Sequence, residues 1–383
     1  MIPNAVFEQT LLGFLAPVRP YLEDDTVSEV MINGPDEVYI ERRGRLELTD
    51  VRFPSEHALA SAVRNVAQYV GKTVSEEHPI LDARLPDGSR VCAVLPPASR
   101  RGICVSIRRF PKDRLTVDQL IKYGAMSEAA RVFLHECVLV KRNVVVAGGT
   151  GSGKTSLLNA LSSFVPDSER IVVIEDSSEV QLQQPHTVYF EARPPDQRGR
   201  GQVTIRDLLR SSLRMRPDRI VVGECRGGEA LDLIQAMTSG HGGSLSTVHA
   251  TYPHDTLHRI ETMCLMSDIN LPLSALRAQI ASAVNVIVQT SRLNDGSRRI
   301  THVAECLGLD DKGDYRLEML FEFRQTGVEP KTGRVIGTFS PTGKLPSFKD
   351  EIEGKGWALP PEMLATAQPR GAGQPPPVPR GHK

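Results

Sequence analysis

The stretch Gly148-Gly149-Thr150-Gly151-Ser152-Gly153-Lys154-Thr155 fits the pattern G-x-x-x-x-G-K-[ST], and Ser156 follows it directly. Glycines at this spacing let backbone N–H groups turn inward around a phosphate, and a helix opening at the last of them adds its partial positive charge. Lys154 then reaches the β- and γ-phosphates, and the Thr155 hydroxyl can ligate Mg²⁺. The expected ligands are therefore ATP and Mg²⁺. Phosphoryl transfer with Mg²⁺ also needs carboxylates, one for the metal's shell and one to orient the attacking water. Glu175 and Asp176 close the apolar run Ile171–Ile174, and Glu224 closes the run Arg219–Gly223. An acid at a strand end is often only a helix cap. Two such runs downstream of a phosphate loop favour the chemical reading, with both strands expected beside the loop's own strand. The preferred assignment gives Glu175 the water, and gives Mg²⁺ the side chains of Thr155, Glu224 and Asp176. The reverse assignment of the two glutamates stays open. His249 ends the run Leu245–Val248 and would contact the γ-phosphate, reporting its presence.

Those residues need a scaffold. Asn143–Ala147 is a β-branched run of the kind that makes a buried parallel strand, and Ser156–Leu161 is a good helix former. Further strands are expected at 170–175, 218–223, 245–249 and 284–290, with helices near 117–123 and 127–141. Strands alternating with helices indicate a mostly parallel α/β sheet, with ligands at the strand ends. Upstream, strands at 28–32, 37–41 and 45–48 are separated by turn chemistry. A helix over 55–70, a hairpin of 81–85 with 90–95, and a strand at 103–109 complete an α+β domain. The resulting plan is a lead-in over 1–20, an N-terminal α+β domain over 21–109 and a linker over 110–116. A P-loop NTPase core of RecA type, with a mostly parallel sheet, then fills 117–358. Residues 293–340 read as short strands. Residues 359–383 hold seven prolines and read as a disordered Pro/Gly-rich tail.

Composition narrows the partners. With 46 basic and 46 acidic residues the formal charge is zero, so no nucleic-acid partner is expected. Arginine supplies 35 of the basic residues, which fits either genomic composition or a need for guanidinium contacts to phosphate. The six cysteines are dispersed without a C-x-x-C pair, which suits a reducing compartment rather than a disulfide framework. No stretch approaches the ~20 apolar residues of a membrane helix, so no direct membrane insertion is expected.

The motifs together resemble the secretion and pilus-assembly ATPases of the type II/type IV superfamily, and within it the CpaF-type branch of tight-adherence pilus systems. The likeness runs from about Leu22 to Pro360. Beyond the phosphate loop, Glu175-Asp176-Ser177-Ser178-Glu179 is similar to that family's Asp box. Met215–Glu224 is similar to its atypical Walker B, which ends in Glu. Thr238–Ala250 is similar to its His box, except that Gly242 stands where an acidic residue is usual and Thr251-Tyr252 where Asn-Ser is usual. Val30–Pro35, Asp82–Arg90 and Val105–Phe110 carry the branch likeness in the N-terminal part.

The resemblance implies a homo-hexameric ring in the cytoplasm, with ATP bound between subunits and motion passed to an integral membrane platform protein. It also implies that N-terminal arginines reach the triphosphate, which points to Arg90 and Arg108, with Arg109 the weaker candidate. Arg210, Arg214 and Arg216, which flank the Walker B-like run, are the alternative. Rival readings are a type IV secretion or DNA-uptake ATPase on the same fold, a slow nucleotide-gated scaffold, and a small-molecule P-loop kinase. The last lacks any visible acceptor domain.

Overall fold

A computed structural model describes residues 11–109, 115–196 and 199–367. The chain divides into two compact units, with the division between Asp113 and Arg114.

The first unit holds an antiparallel sheet of six strands. They are β1 (Val27–Asn33), β2 (Val38–Arg42), β3 (Arg45–Leu48), β4 (Ile80–Arg84), β5 (Arg90–Val94) and β6 (Cys104–Arg108), in the order β3-β2-β1-β6-β5-β4. The β2–β3 connection is the two-residue turn Arg43-Gly44, with φ of 48° and 79°. Positive φ at both positions is what a tight hairpin matched to strand twist demands. Helix Glu56–Tyr69 starts where the Ser55 hydroxyl accepts the Ala58 N–H. It buries Leu59, Ala62, Val63, Val66 and Ala67, the three-and-four spacing of one helix face, in a core shared with Val30, Ile32, Val91 and Ile107.

The second unit holds a nine-stranded sheet. Its strands are β7 (Val144–Gly148), β8 (Ile171–Glu175), β9 (Thr187–Glu191), β10 (Arg219–Val222), β11 (Leu245–Val248), β12 (Val286–Arg292), β13 (Arg298–Leu309), β14 (Tyr315–Val328) and β15 (Val335–Pro341). The order is β15-β14-β13-β12-β7-β11-β10-β8-β9, parallel from β12 to β9 and antiparallel beyond β12. Val144 and Val146 enter one core while Val145 and Ala147 enter the other, and β8 splits the same way. Successive strand residues face opposite sides, so a strand covered on both sides must be apolar throughout. That explains the continuous β-branched runs.

Asn143 fixes the base of β7. Its Oδ1 accepts the N–H groups of Gly243 (2.8 Å) and Ser244 (3.0 Å), and its Nδ2 donates to the Ala283 carbonyl at 2.7 Å. One buried side chain thereby ties β7 to the segments entering β11 and β12.

Three expectations change. β13 and β14 run to 12 and 14 residues, not short strands. β9 was not foreseen. It is a half-exposed edge strand, built on the short run Val188-Tyr189-Phe190. The chain also stays folded past 359: helix Pro361–Thr366 follows, and Leu359 and Met363 are buried in the same core as Phe133. The rest of the anticipated tail, 368–383, and most of the anticipated linker, 110–114, lie outside the described residues. Among the described residues, no helix is long and apolar enough to cross a membrane.

Candidate functional site: a braced phosphate loop ringed by acids

The loop between β7 and helix Lys154–Ser162 is shaped by glycine at three places. Gly151 (φ 68°) and Gly153 (φ 93°) adopt the left-handed region that side chains disfavour, and Gly153 occupies the cap of the helix. At Gly148 a Cβ would lie 2.4 Å from both Ser152 Oγ and Thr290 Oγ1. The strand end can pack there only without a side chain. Ser152 Oγ lies 2.9 Å from Thr290 Oγ1, and Arg298 Nε donates to the Gly151 carbonyl at 2.7 Å. Residues of β12 and β13 thus brace the loop. Lys154, 8 % exposed, folds back so that Nζ donates to the Gly149 carbonyl at 3.0 Å. Gly149, Thr150 and Ser156 complete the predicted loop.

Neither acid-bearing strand pairs with β7, contrary to the sequence expectation. β11 and β12 flank it, and β10 and β8 lie one and two strands beyond β11. The crossover order separates strands whose neighbourhood a linear sequence cannot show. Their ends nevertheless converge. Glu175 is buried beneath the β8 end, its Oε1 accepting the N–H groups of Glu179 and Val180 at 2.9 Å each. Its Cγ would stand 2.7 Å from any Cβ at Gly223, so that glycine makes room for it. Burial pushes the Glu175 carboxyl up to about 7, against the lowering effect of those two N–H groups.

Glu224 Oε1 lies 2.7 Å from His249 Nε2, and Lys154 Nζ lies 3.4 Å from both ring nitrogens of His249. Burial and the Lys154 charge hold the His249 pKa below its usual value, outweighing Glu224. The imidazole is therefore neutral at neutral pH, between an ammonium and a carboxylate. Arg226 pairs with Glu224 Oε2 at 2.6 Å and with Asp176 Oδ2 at 3.0 Å. Thr155 Oγ1 donates to Glu179 Oε2 at 3.2 Å. Glu179, rather than Asp176, stands beside the predicted metal-ligating hydroxyl. The Thr155 hydroxyl and the Glu179 carboxylate are oxygen donors of the kind that a hard cation such as Mg²⁺ takes.

A family model described as Type II/IV secretion system protein matches residues 14–312. The chain belongs to that family. A Mycobacterium tuberculosis protein named for conjugal transfer is 36 % identical over 310 residues, spanning 79 % of this chain and 88 % of its own. The type IV secretion system protein VirB11 of Brucella suis is 35 % identical over 319 residues, spanning 76 % of this chain and 88 % of its own. Among solved structures, the Yersinia pseudotuberculosis ATPase DotB covers 80 % of each chain with a TM-score of 0.54 at 18 % identity, a likeness of fold. This member of the family is an α/β secretion ATPase, with an N-terminal domain ahead of its NTPase core.

The predicted arginines lie in the N-terminal unit of this secretion ATPase. Arg108 faces Arg90 across the β5–β6 pair, and Arg90 faces Arg84 across β4–β5, so three guanidinium-bearing positions share one face. Arg109 instead turns into its own unit, donating to the Val27 carbonyl at 3.0 Å and to Asp25 at 3.1 Å. Arg210 is engaged by Asp232 at 2.8 Å. Sequence reasoning left out Glu179, Arg226, Thr290 and Arg298. Glu179 sat within the quoted Asp box, four residues past Glu175, and that spacing was the available signal. Thr290 and Arg298 carried none, because they reach the loop from strands more than a hundred residues downstream.

Proposed function

We propose that this chain is a cytoplasmic ATP-hydrolysing motor of the tight-adherence type, driving pilus assembly as a hexameric ring against an integral membrane platform protein. The observation that carries the reading is the chain of Lys154, His249 and Glu224 beside the braced phosphate loop, with Glu175 buried at the end of β8 against Gly223, the residue before Glu224. The loop N–H groups and Lys154 hold the β- and γ-phosphates of ATP. Bound Mg²⁺ supplies charge neutralisation between those phosphates. Glu175 accepts the proton of the attacking water, whose oxygen bonds to the γ-phosphorus as the bond to ADP breaks. Its raised pKa suits a base working near neutral pH. His249 links Lys154 to Glu224, so a change at the γ-phosphate is felt at the β10 end. Arg90 and Arg108 neutralise phosphoryl charge from the N-terminal unit of a neighbouring subunit.

The likeness to VirB11 favours a second reading, a type IV secretion ATPase on the same fold. Replacing the chromosomal copy by Lys154→Ala separates the two. Loss of surface filaments with normal conjugation and effector export supports the pilus motor. Intact filaments with lost export support the secretion reading.

A further inference from the structure

Away from the phosphate loop, helix Pro253–Leu265 carries His254 and His258, one turn apart on the same face, with ring centroids 4.8 Å apart. Asp314, at the start of β14's hairpin side, faces both rings. Its Oδ1 lies 3.6 Å from His258 Nε2, and its Oδ2 lies 3.9 Å from His254 Nε2. Among the described residues, these three form a group whose ligand atoms all lie within 4.8 Å of one another. The contacts are too long to be direct hydrogen bonds. Ligand atoms around one tetrahedral Zn²⁺ with bonds near 2.0–2.2 Å lie about 3.3 Å apart, so a small closure of these side chains suffices. We propose that His254, His258 and Asp314 form a binding site for a divalent transition metal of the Zn²⁺ class, which clips this helix to the β13–β14 hairpin.

The framework for such a site is already built. Asp310 Oδ1 accepts the N–H groups of Lys312 and Asp314 at 2.9 Å each, which fixes the hairpin turn. The Tyr315 N–H donates to Asp314 Oδ1 at 2.8 Å and orients the carboxylate. The Tyr315 ring stands edge-on to His258, with centroids 5.4 Å apart, and its hydroxyl donates to Glu261 at 3.0 Å. Arg277 holds Glu261 at 2.8 Å and donates to the Gly313 carbonyl at 3.2 Å. Helix and hairpin are thereby joined on the far side of the site. Two imidazoles and one carboxylate select an intermediate metal over Mg²⁺, which prefers oxygen and water. All three groups are partly exposed, so the remaining coordination positions face solvent. The helix begins four residues after His249, so the clip restrains the element that follows the nucleotide-facing histidine.

The test uses tag-free full chain stripped with chelator. Zn²⁺ binding is followed by calorimetry, and Tm is measured with and without Zn²⁺ in Mg²⁺ buffer. Wild type should take up one Zn²⁺ per chain more than a His254→Asn/His258→Asn variant, and only wild type should gain Tm. Asp314→Asn provides a second variant, expected to weaken that uptake at least tenfold. Equal uptake and equal Tm gain in wild type and both variants would overturn the proposal.

Discussion

At the scale of single residues, the site rests on a carboxylate kept out of water. Burial raises Glu175 from 4.5 to about 7, so between those values the folded chain keeps a proton that the unfolded chain releases. Stability therefore falls as pH rises through that window and stays lowered above it. Glu175→Gln removes the penalty. Urea unfolding of the core should show the variant gaining about 3 kcal/mol at pH 8 and almost nothing at pH 4. The same proton governs turnover, because a base must be ionised to accept one. Wild-type kcat should rise with pH through about 7. Glu175→Gln should leave only a slow, flat residual. His249→Gln should keep the acidic limb, since burial and the Lys154 charge hold the His249 pKa below its usual value. A limb that vanishes with His249 instead would move the base role away from Glu175.

At the scale of elements, the sheet is held in register by a buried latch. Arg219 opens β10 with no exposed surface, its Nε on Glu169 and its Nη2 on the Val138 carbonyl at 2.8 Å. Gly243 makes room for it: its φ is 82°, and a Cβ there would come within 1.9 Å of Arg219 Nη1. Arg219→Ala leaves the buried Val138 carbonyl without this donor and Glu169 with Lys141 alone, a loss of about 1–3 kcal/mol in chemical denaturation. Gly243→Ala should destabilise by a similar mechanism, with strain added at positive φ. The loop's own conformation was visible in its glycines, and the central strands in their unbroken β-branched runs, because burial on both faces leaves no room for polar residues. β9 was legible in its β-branched and aromatic residues Thr187–Phe190, whereas the length of β13 and β14 was not, since strands wet on one side carry mixed residues. Nor was the strand order. The acids could be named, but not the fact that β11, rather than β10 or β8, lies beside the loop's strand. Arg226 and Arg298 escaped notice for a related reason. Each works by reaching a group far away in sequence or on another element.

At the scale of the whole molecule, the family membership and the arginine row in the N-terminal unit bear on assembly. Arg84, Arg90 and Arg108 form a row across β4, β5 and β6, and Arg108 also faces Glu29 across β1–β6. In the proposed ring, this row meets the triphosphate of a neighbouring subunit. Subunits carrying Arg108→Ala keep a sound phosphate loop, and subunits carrying Lys154→Ala keep sound arginines. Each alone should be inactive, while a mixture should recover part of the wild-type turnover through boundaries that join the two sound halves. Co-assembly without recovery would shift the role to the Arg210–Arg216 group.

The central claim is that the braced loop, with its ring of acids, hydrolyses ATP. Steady-state phosphate release by purified chain tests it most directly, with Lys154→Ala purified in parallel. Lys154 donates to the Gly149 carbonyl and lies beside His249, and it belongs to neither hydrophobic core. The variant should therefore match the wild-type melting curve while phosphate release falls to background. Wild-type-like phosphate release from Lys154→Ala, or none from the assembled wild type with ATP and Mg²⁺, would contradict the account.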